Sequence, residues 1–291
     1  MTDLIPLKDI ESKELVYLWS DRIALGCVTV IEGDAGANKT TLTHELTARV
    51  TTGRPMPDCT TSLPSGNVII LQAEDDPAAT IRPNLEAMAA NLEKVFVIGK
   101  ETEPLSFPEG VAVLAAHIGR LKAKLLIIDP ITSFLAGSIN SEHVVRRSLA
   151  PLVTVAETHG IAVVLIRHFT KSNGGNPLHR GCGSIAVTGL ARSVLQVGTD
   201  PKDPEKRVIV QAKSNLNAPA TSLSFKPVKK NGGLTVEWLG ECDCTVDQLH
   251  ATATKQDRPA LEYAQYVLFS ILAEGPVLAN EAQKLGKATP D

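Results

Sequence analysis

An α/β fold, with a mostly parallel sheet flanked by helices and extended by antiparallel strands, is predicted by three features of this 291-residue sequence. Short apolar runs alternate with amphipathic stretches from residue 28 to residue 168. The first run breaks into a glycine turn closed by Lys39-Thr40-Thr41. After Ser193 the rhythm changes to brief β-like runs separated by turn residues. Strands alternating with helices at this spacing form parallel sheets, whereas closely spaced runs joined by turns pair antiparallel.

Taken in order, residues 1–27 read as an arm with an apolar patch (Leu15, Val16, Leu18, Trp19) that closes on a turn. Val28 opens the first strand, and after the glycine turn a helix continues through Leu42–Val50. Residues 51–67 are rich in proline and glycine and read as loop. Val68–Leu71 is a short buried strand, followed by a helix over Ala78–Asn91 and a strand at Val95–Ile98. Val111–Leu121 has helical spacing, and Lys124–Asp129 is the next buried strand. A helix at Glu142–His159 and a strand at Ala162–Ile166, with His168 just beyond it, complete a third unit. The runs at Val194–Val197, Val208–Ala212, Thr221–Phe225 and Leu234–Leu239 read as antiparallel strands. The division is therefore a core over 1–250 and, over 251–291, a polar linker with a helical tail, in which Leu261, Ala264, Leu268 and Ile271 share one helix face before a Gly275-Pro276 stop.

The composition is that of ordinary globular material. No apolar run is long enough to span a bilayer, and the first residues lack a basic start followed by an apolar core, so a cytoplasmic protein without membrane contact is expected. The five cysteines (Cys27, Cys59, Cys182, Cys242, Cys244) lack C-x-x-C spacing, which argues against a disulfide framework and a zinc site. Net charge is only −3, but residues 143–230 hold 13 Lys/Arg against 4 Asp/Glu, and the rest 16 against 28. Such asymmetry fits a face that meets a polyanion, or a solvated basic face balanced by acidic neighbours in the fold.

The chemistry concentrates in VTVIEGDAGANKTTL, residues 28–42. Gly33, Asp34, Ala35, Gly36, Ala37, Asn38, Lys39, Thr40 and Thr41 form the candidate nucleotide cradle. Glycines keep side chains clear of converging backbone N–H groups, Lys39 brings a cation to the β- and γ-phosphates of ATP, and Thr40 offers a hydroxyl to Mg²⁺ at the positive end of a helix. Asn38 stands where the pattern G-x-x-x-x-G-K-[ST] has its second glycine, and Asn tolerates the left-handed region at a cost of about 1 kcal/mol. A glycine-rich hairpin or cap that binds nothing is the rival reading of this loop alone. Two acids that each follow a buried strand strengthen the first reading. Asp129 suits a carboxylate that holds Mg²⁺, and Glu74 a general base for the attacking water. His168 can hydrogen-bond the γ-phosphate. The basic, glycine-rich loop after it, TKSNGGNPLHRGCG, carries Lys171, His179 and Arg180 and no aromatic residue, so any nucleic-acid contact there would be to the backbone and independent of sequence.

WSDRIALGCVTVIEGDAGANKTTL, NVIILQAEDDPAATIRPNLEAM, LLIIDPITSFL, VVLIRHFTKS, HRGCGSIAVTGLARSVLQV and KSNLNAP, in that order, resemble the RecA-like ATPases of the RepA replicative-helicase type, encoded on plasmids, phages and integrated elements. The resemblance covers residues 18–249. It implies a ring, usually a hexamer, with ATP at subunit interfaces and single-stranded DNA in the channel. By matched position it implies Lys39 and Thr40 on phosphate and Mg²⁺, Glu74 as base, Asp129 as metal-side acid and His168 as sensor. Arg192, in GLARSV, matches an arginine finger given to the neighbouring subunit, and Lys213, in KSN, a second cation acting in trans. The tail resembles the start of a winged-helix module and stops before any recognition helix.

Overall fold

The computed structural model describes residues 4–61, 64–98, 105–169 and 185–250. The predicted C-terminal helices, the basic loop and Cys182 lie outside the described residues.

Residues 4–16 run along the surface with Leu4, Ile5 and Leu7 exposed. The chain joins the core earlier than the predicted arm boundary at residue 27. A small hairpin of β1 (Tyr17–Trp19) and β2 (Ile23–Ala24) buries Leu18, Trp19, Ile23 and Ala24. Next come β3 (Val28–Gly33), α1 (Lys39–Thr52) and β4 (Asn67–Gln72). The helix predicted over residues 78–91 is shorter: a π-helical turn at Pro77–Ile81 leads into α2 (Arg82–Ala87). Pro83 explains the wide turn, since it has no N–H to give and its ring crowds the carbonyl four residues back. Asp76 starts the turn by accepting from the N–H groups of Ala78 (2.8 Å) and Ala79 (2.7 Å).

β5 (Val95–Ile98), α3 (Val111–Leu121) and β6 (Ala123–Asp129) follow, then α4 (Glu142–His159) and β7 (Ala162–His168). α4 begins where Ser141 accepts from the N–H of Val144, and it ends on Gly160 in the left-handed region. A short α5 (Ala186–Leu190) precedes β8 (Ser193–Thr199), β9 (Arg207–Ser214), β10 (Ser222–Lys230) and β11 (Gly233–Cys242).

These strands form one nine-stranded sheet in the order β11-β10-β9-β8-β3-β7-β6-β4-β5. From β5 to β8 every neighbouring pair is parallel. β8 corrects the sequence reading: it is parallel to β3 and turns antiparallel only toward β9, so three strands rather than four make the antiparallel extension. The reason is α5, a helical crossover that brings the chain back to the edge where β3 begins. This is the RecA-like arrangement, a mostly parallel sheet with an antiparallel extension.

Alternate strand residues feed two cores. Ile69, Leu71, Val163 and Leu165 meet α3 and α4 through Leu114, Ile118, Leu149 and Leu152. Val68, Ile70, Val164 and Ile166 meet α1 through Leu42 and Leu46. The second face is closed by the β10–β11 hairpin, whose Phe225 and Trp238 rings pack 5.4 Å apart, with Trp238 edge-on to Trp19. β11 reaches α2, where Asn84 accepts from the N–H of Leu234 at 2.8 Å. Consequently α1, although threonine-rich, is buried almost all round between β4 and β6 on one side and α2 and β11 on the other. Thr43, Thr47 and Thr51 return their hydroxyls to carbonyls of the helix itself.

Candidate active site

The site is built where parallel strands end. β3 pairs with β7 so that Gly33 lies opposite His168, and the N–H of Phe169 donates to the Gly33 carbonyl at 3.2 Å. Gly33 has no room for a side chain, because a Cβ there would stand 2.1 Å from the Val197 carbonyl oxygen on β8. The chain then turns through Gly36 (φ +75°) and Asn38 (φ 66°, ψ 30°) before α1 starts at Lys39. Asn38 thus takes the left-handed conformation that glycine would have taken, and the loop keeps its path. Its side chain makes no capping hydrogen bond to the helix, so it does not compete with an anion for the first-turn N–H groups.

Lys39 is buried and folds back into the loop. Its Nζ donates to the carbonyls of Gly33 (2.9 Å) and Asp34 (2.7 Å) and lies 3.2 Å from His168 Nδ1. Burial pushes its pKa down to about 8, with the charges of Asp129, Asp34 and Glu74 opposing the fall. His168 is lowered as well, by burial and by the Lys39 ammonium, which keeps the ring neutral and able to accept. Thr40 Oγ1 donates to Asp129 Oδ2 at 2.7 Å. Burial pushes the Asp129 carboxyl up to about 6, against the Thr40 hydrogen bond, and the charges of Glu74 and Asp75 raise it further. Glu74 is exposed just beyond β4. Gln72 shapes that exit, since its Oε1 accepts from the N–H groups of Ala73 (2.8 Å) and Glu74 (3.1 Å). Lys39, Thr40, Glu74, Asp129 and His168, scattered over 130 positions of sequence, therefore meet at one sheet edge.

The residues present fit a divalent cation. A hydroxyl and a carboxylate oxygen are already juxtaposed, and the acid is held above its ordinary range by burial and by the neighbouring Glu74 and Asp75 charges, which a divalent cation would offset.

Arg192 and Lys213 lie elsewhere. The N–H of Arg192 donates to the Val28 carbonyl at 2.9 Å, at the start of β3, and β3 spans about 17 Å from Val28 to Gly33. Its side chain is exposed. Lys213 lies on β9 across from Val194, and its Nζ donates to the carbonyls of Thr188 (2.6 Å) and Ala191 (3.0 Å) at the end of α5. Burial and the neighbouring Arg192 charge lower its pKa. The two cations sit together at the edge opposite Lys39. Lys171, His179 and Arg180 lie outside the described residues.

One feature of the site went unread in the sequence. Glu32 and Arg167, on adjacent strands and both fully buried, form an ion pair one residue before Gly33 and His168. Gln196 Nε2 donates to Glu32 Oε1 at 2.9 Å, and His250 Nε2 lies 2.9 Å from Gln196 Oε1. The signal was present: two apolar runs, VTVIEG and VVLIRH, are each interrupted by a single charge of opposite sign at the same distance from the strand end.

A family model described as an AAA domain matches residues 6–174, more than half of the chain. No curated protein matches it. No helix among the described residues is long and apolar enough to cross a membrane.

Proposed function

Because this chain belongs to the AAA domain family, a family of P-loop ATPases, we propose that it is an ATP-hydrolysing, ring-forming motor on single-stranded DNA, of the replicative-helicase kind. The observation that carries the reading is the split of its cations. Lys39, with Thr40, Asp129, Glu74 and His168, occupies one sheet edge, while Arg192 and Lys213 stand at the other. Arg192 is held at the far end of β3, about 17 Å from Gly33, and in this reading it serves the phosphate loop of a second copy.

In this reading the Lys39 ammonium leaves the Gly33 and Asp34 carbonyls and donates instead to the β- and γ-phosphate oxygens. The Lys39 contact with His168 makes the β7 end sensitive to that exchange. Thr40 and Asp129 would hold Mg²⁺, which supplies charge neutralisation on the β- and γ-phosphates. Glu74, at the open side of the site, takes the proton of the attacking water. Arg192 of a neighbouring copy meets the charge that develops on the γ-phosphate oxygens, and Lys213 stands beside it. The chains at residues 134–142 and 170–183, which follow β6 and β7, would carry the change to DNA in the ring channel, with Lys171, His179 and Arg180 on the strand's phosphates. The excess of basic residues over 143–230 suits that role.

The test is ATP hydrolysis by the purified protein with and without single-stranded DNA, with Lys39→Ala as the blank. Stimulation by DNA that disappears in the variant is expected; a response indifferent to DNA would remove the motor. The second reading is an ATP-dependent switch that assembles and regulates without moving. The Asn38 side chain, standing where the loop pattern has none, favours it. Forked DNA separates the two, since unwinding belongs to the motor and assembly without unwinding to the switch.

A further inference from the structure

The last described residues of the chain are brought by local rules onto the strands that end in the phosphate site. Thr245 and Gln248 cap each other: the N–H of Thr245 donates to Gln248 Oε1 at 2.9 Å, and the N–H of Gln248 to Thr245 Oγ1 at 3.3 Å. This cap starts a helical turn over residues 246–250. The turn delivers two consecutive side chains to β8. Leu249 packs on Gly198, where an added Cβ would come within 2.9 Å of its Cδ1. Two residues earlier, on the same face of the strand, Gln196 meets His250, whose Nε2 lies 2.9 Å from Gln196 Oε1. The His250 ring also packs against Phe169, with centroids 5.5 Å apart. One side chain thereby reaches both strands of the phosphate site. It reaches β7 through Phe169, the neighbour of His168, and β3 through Gln196 and Glu32, the neighbour of Gly33.

The direction of these bonds follows from their chemistry. A carboxylate only accepts, so Gln196 gives an amide N–H to Glu32 and presents its oxygen to His250, which must donate from Nε2. Glu32 takes Arg167 on its other oxygen. The polar chain Arg167–Glu32–Gln196–His250 therefore crosses β7, β3 and β8 and ends on the helical turn. The Gly33 carbonyl accepts both from Lys39 Nζ and from the N–H of Phe169. When Lys39 turns to a bound phosphate, it gives up its contacts with Gly33 and His168. The hold on the end of β7 then passes to Phe169, by its N–H on Gly33 and its ring on His250. We infer that His250 is a positioning residue for ATP hydrolysis: it fixes the ends of β3 and β7, and with them His168, in the nucleotide-loaded state. The inference rests on the phosphate-loop reading and adds to it a residue remote in sequence from every strand-end motif. Because the contact takes over from one that the nucleotide displaces, it bears on turnover more than on binding.

The test separates kcat from ATP affinity in the full chain. His250→Ala should lower kcat about tenfold and leave the dissociation constant for ATP nearly unchanged. Two conservative variants divide the links, since His250→Gln keeps a donor for Gln196 and His250→Phe keeps a ring for Phe169. Each should recover part of the lost turnover, and their kcat and affinity carry the same test if His250→Ala does not fold. Affinity lost along with turnover, or affinity lost alone, would make His250 a ligand contact or a structural residue and overturn the inference. An unchanged kcat, or a loss that neither conservative variant repairs, would overturn it as well. ATP hydrolysis that persists in Lys39→Ala would instead overturn the phosphate-loop reading beneath it.

Discussion

Two side chains show how single residues set the terms of this site. Asn38 holds φ at 66°, a conformation that asparagine enters at small cost and β-branched residues at large cost. Asn38→Gly should therefore leave the denaturation midpoint nearly unchanged, whereas Asn38→Val should lose about 1–2 kcal/mol by urea titration; equal effects would mean that the loop does not depend on this backbone angle. His44 lies within α1, buried, with Asn84 Nδ2 3.4 Å from its Nδ1. Burial pushes its pKa down to about 4. The unfolded chain protonates this group near its ordinary 6.5 and the folded chain does not, so its contribution to stability is whole above about pH 6.5 and falls as the pH drops toward 4. The loss reaches about 3 kcal/mol. Asp129 acts with the opposite sign over part of this range, because its folded pKa is raised to about 6. The pH dependence should therefore be read as the difference in unfolding free energy between wild type and His44→Gln. A difference that is flat from pH 7 to pH 4 would contradict the burial of a neutral ring.

At the scale of elements, the three central strands are bound to one another by polar groups as well as by their apolar faces. Glu32 on β3 meets Arg167 on β7 and Gln196 on β8, all without solvent. Removing one partner leaves the other charge buried and unpaired. Arg167→Met should therefore cost about 3–5 kcal/mol, and the double variant with Glu32→Leu should cost clearly less than the sum of the single variants. Additive losses would mean that the pair is not coupled. These elements also show what a linear reading could and could not reach. α3 and α4 run between the residues the sequence predicted, since helical periodicity is local. The burial of α1 was not legible. Its sequence has almost no apolar stripe, and it is covered because a hairpin some 180 residues later folds over it. The widened turn before α2 was legible in principle from Pro83. The parallel seat of β8 depended on α5, too short to announce itself.

For the whole molecule, the sequence yielded the residues of the site more readily than their distribution. Gly33, Lys39, Thr40 and Asp129 follow from strand-end motifs, because parallel sheets gather such ends at one edge. The separation of Arg192 and Lys213 from them, by the length of β3, is a property of the fold alone. That separation is the core of the account, since in the proposed ring each site is completed by a second copy. Arg192→Ala by itself should abolish turnover and leave nucleotide affinity nearly intact; equal loss of both would place Arg192 in its own subunit's binding site. The most direct measurement mixes two inactive proteins. Lys39→Ala and Arg192→Ala, combined in equal amounts under conditions that allow subunits to exchange, should recover about a quarter of wild-type ATP hydrolysis, because that share of interfaces joins an intact Lys39 to an intact Arg192. A mixture as inactive as its components, after exchange has been shown, would contradict a site completed by the neighbouring subunit.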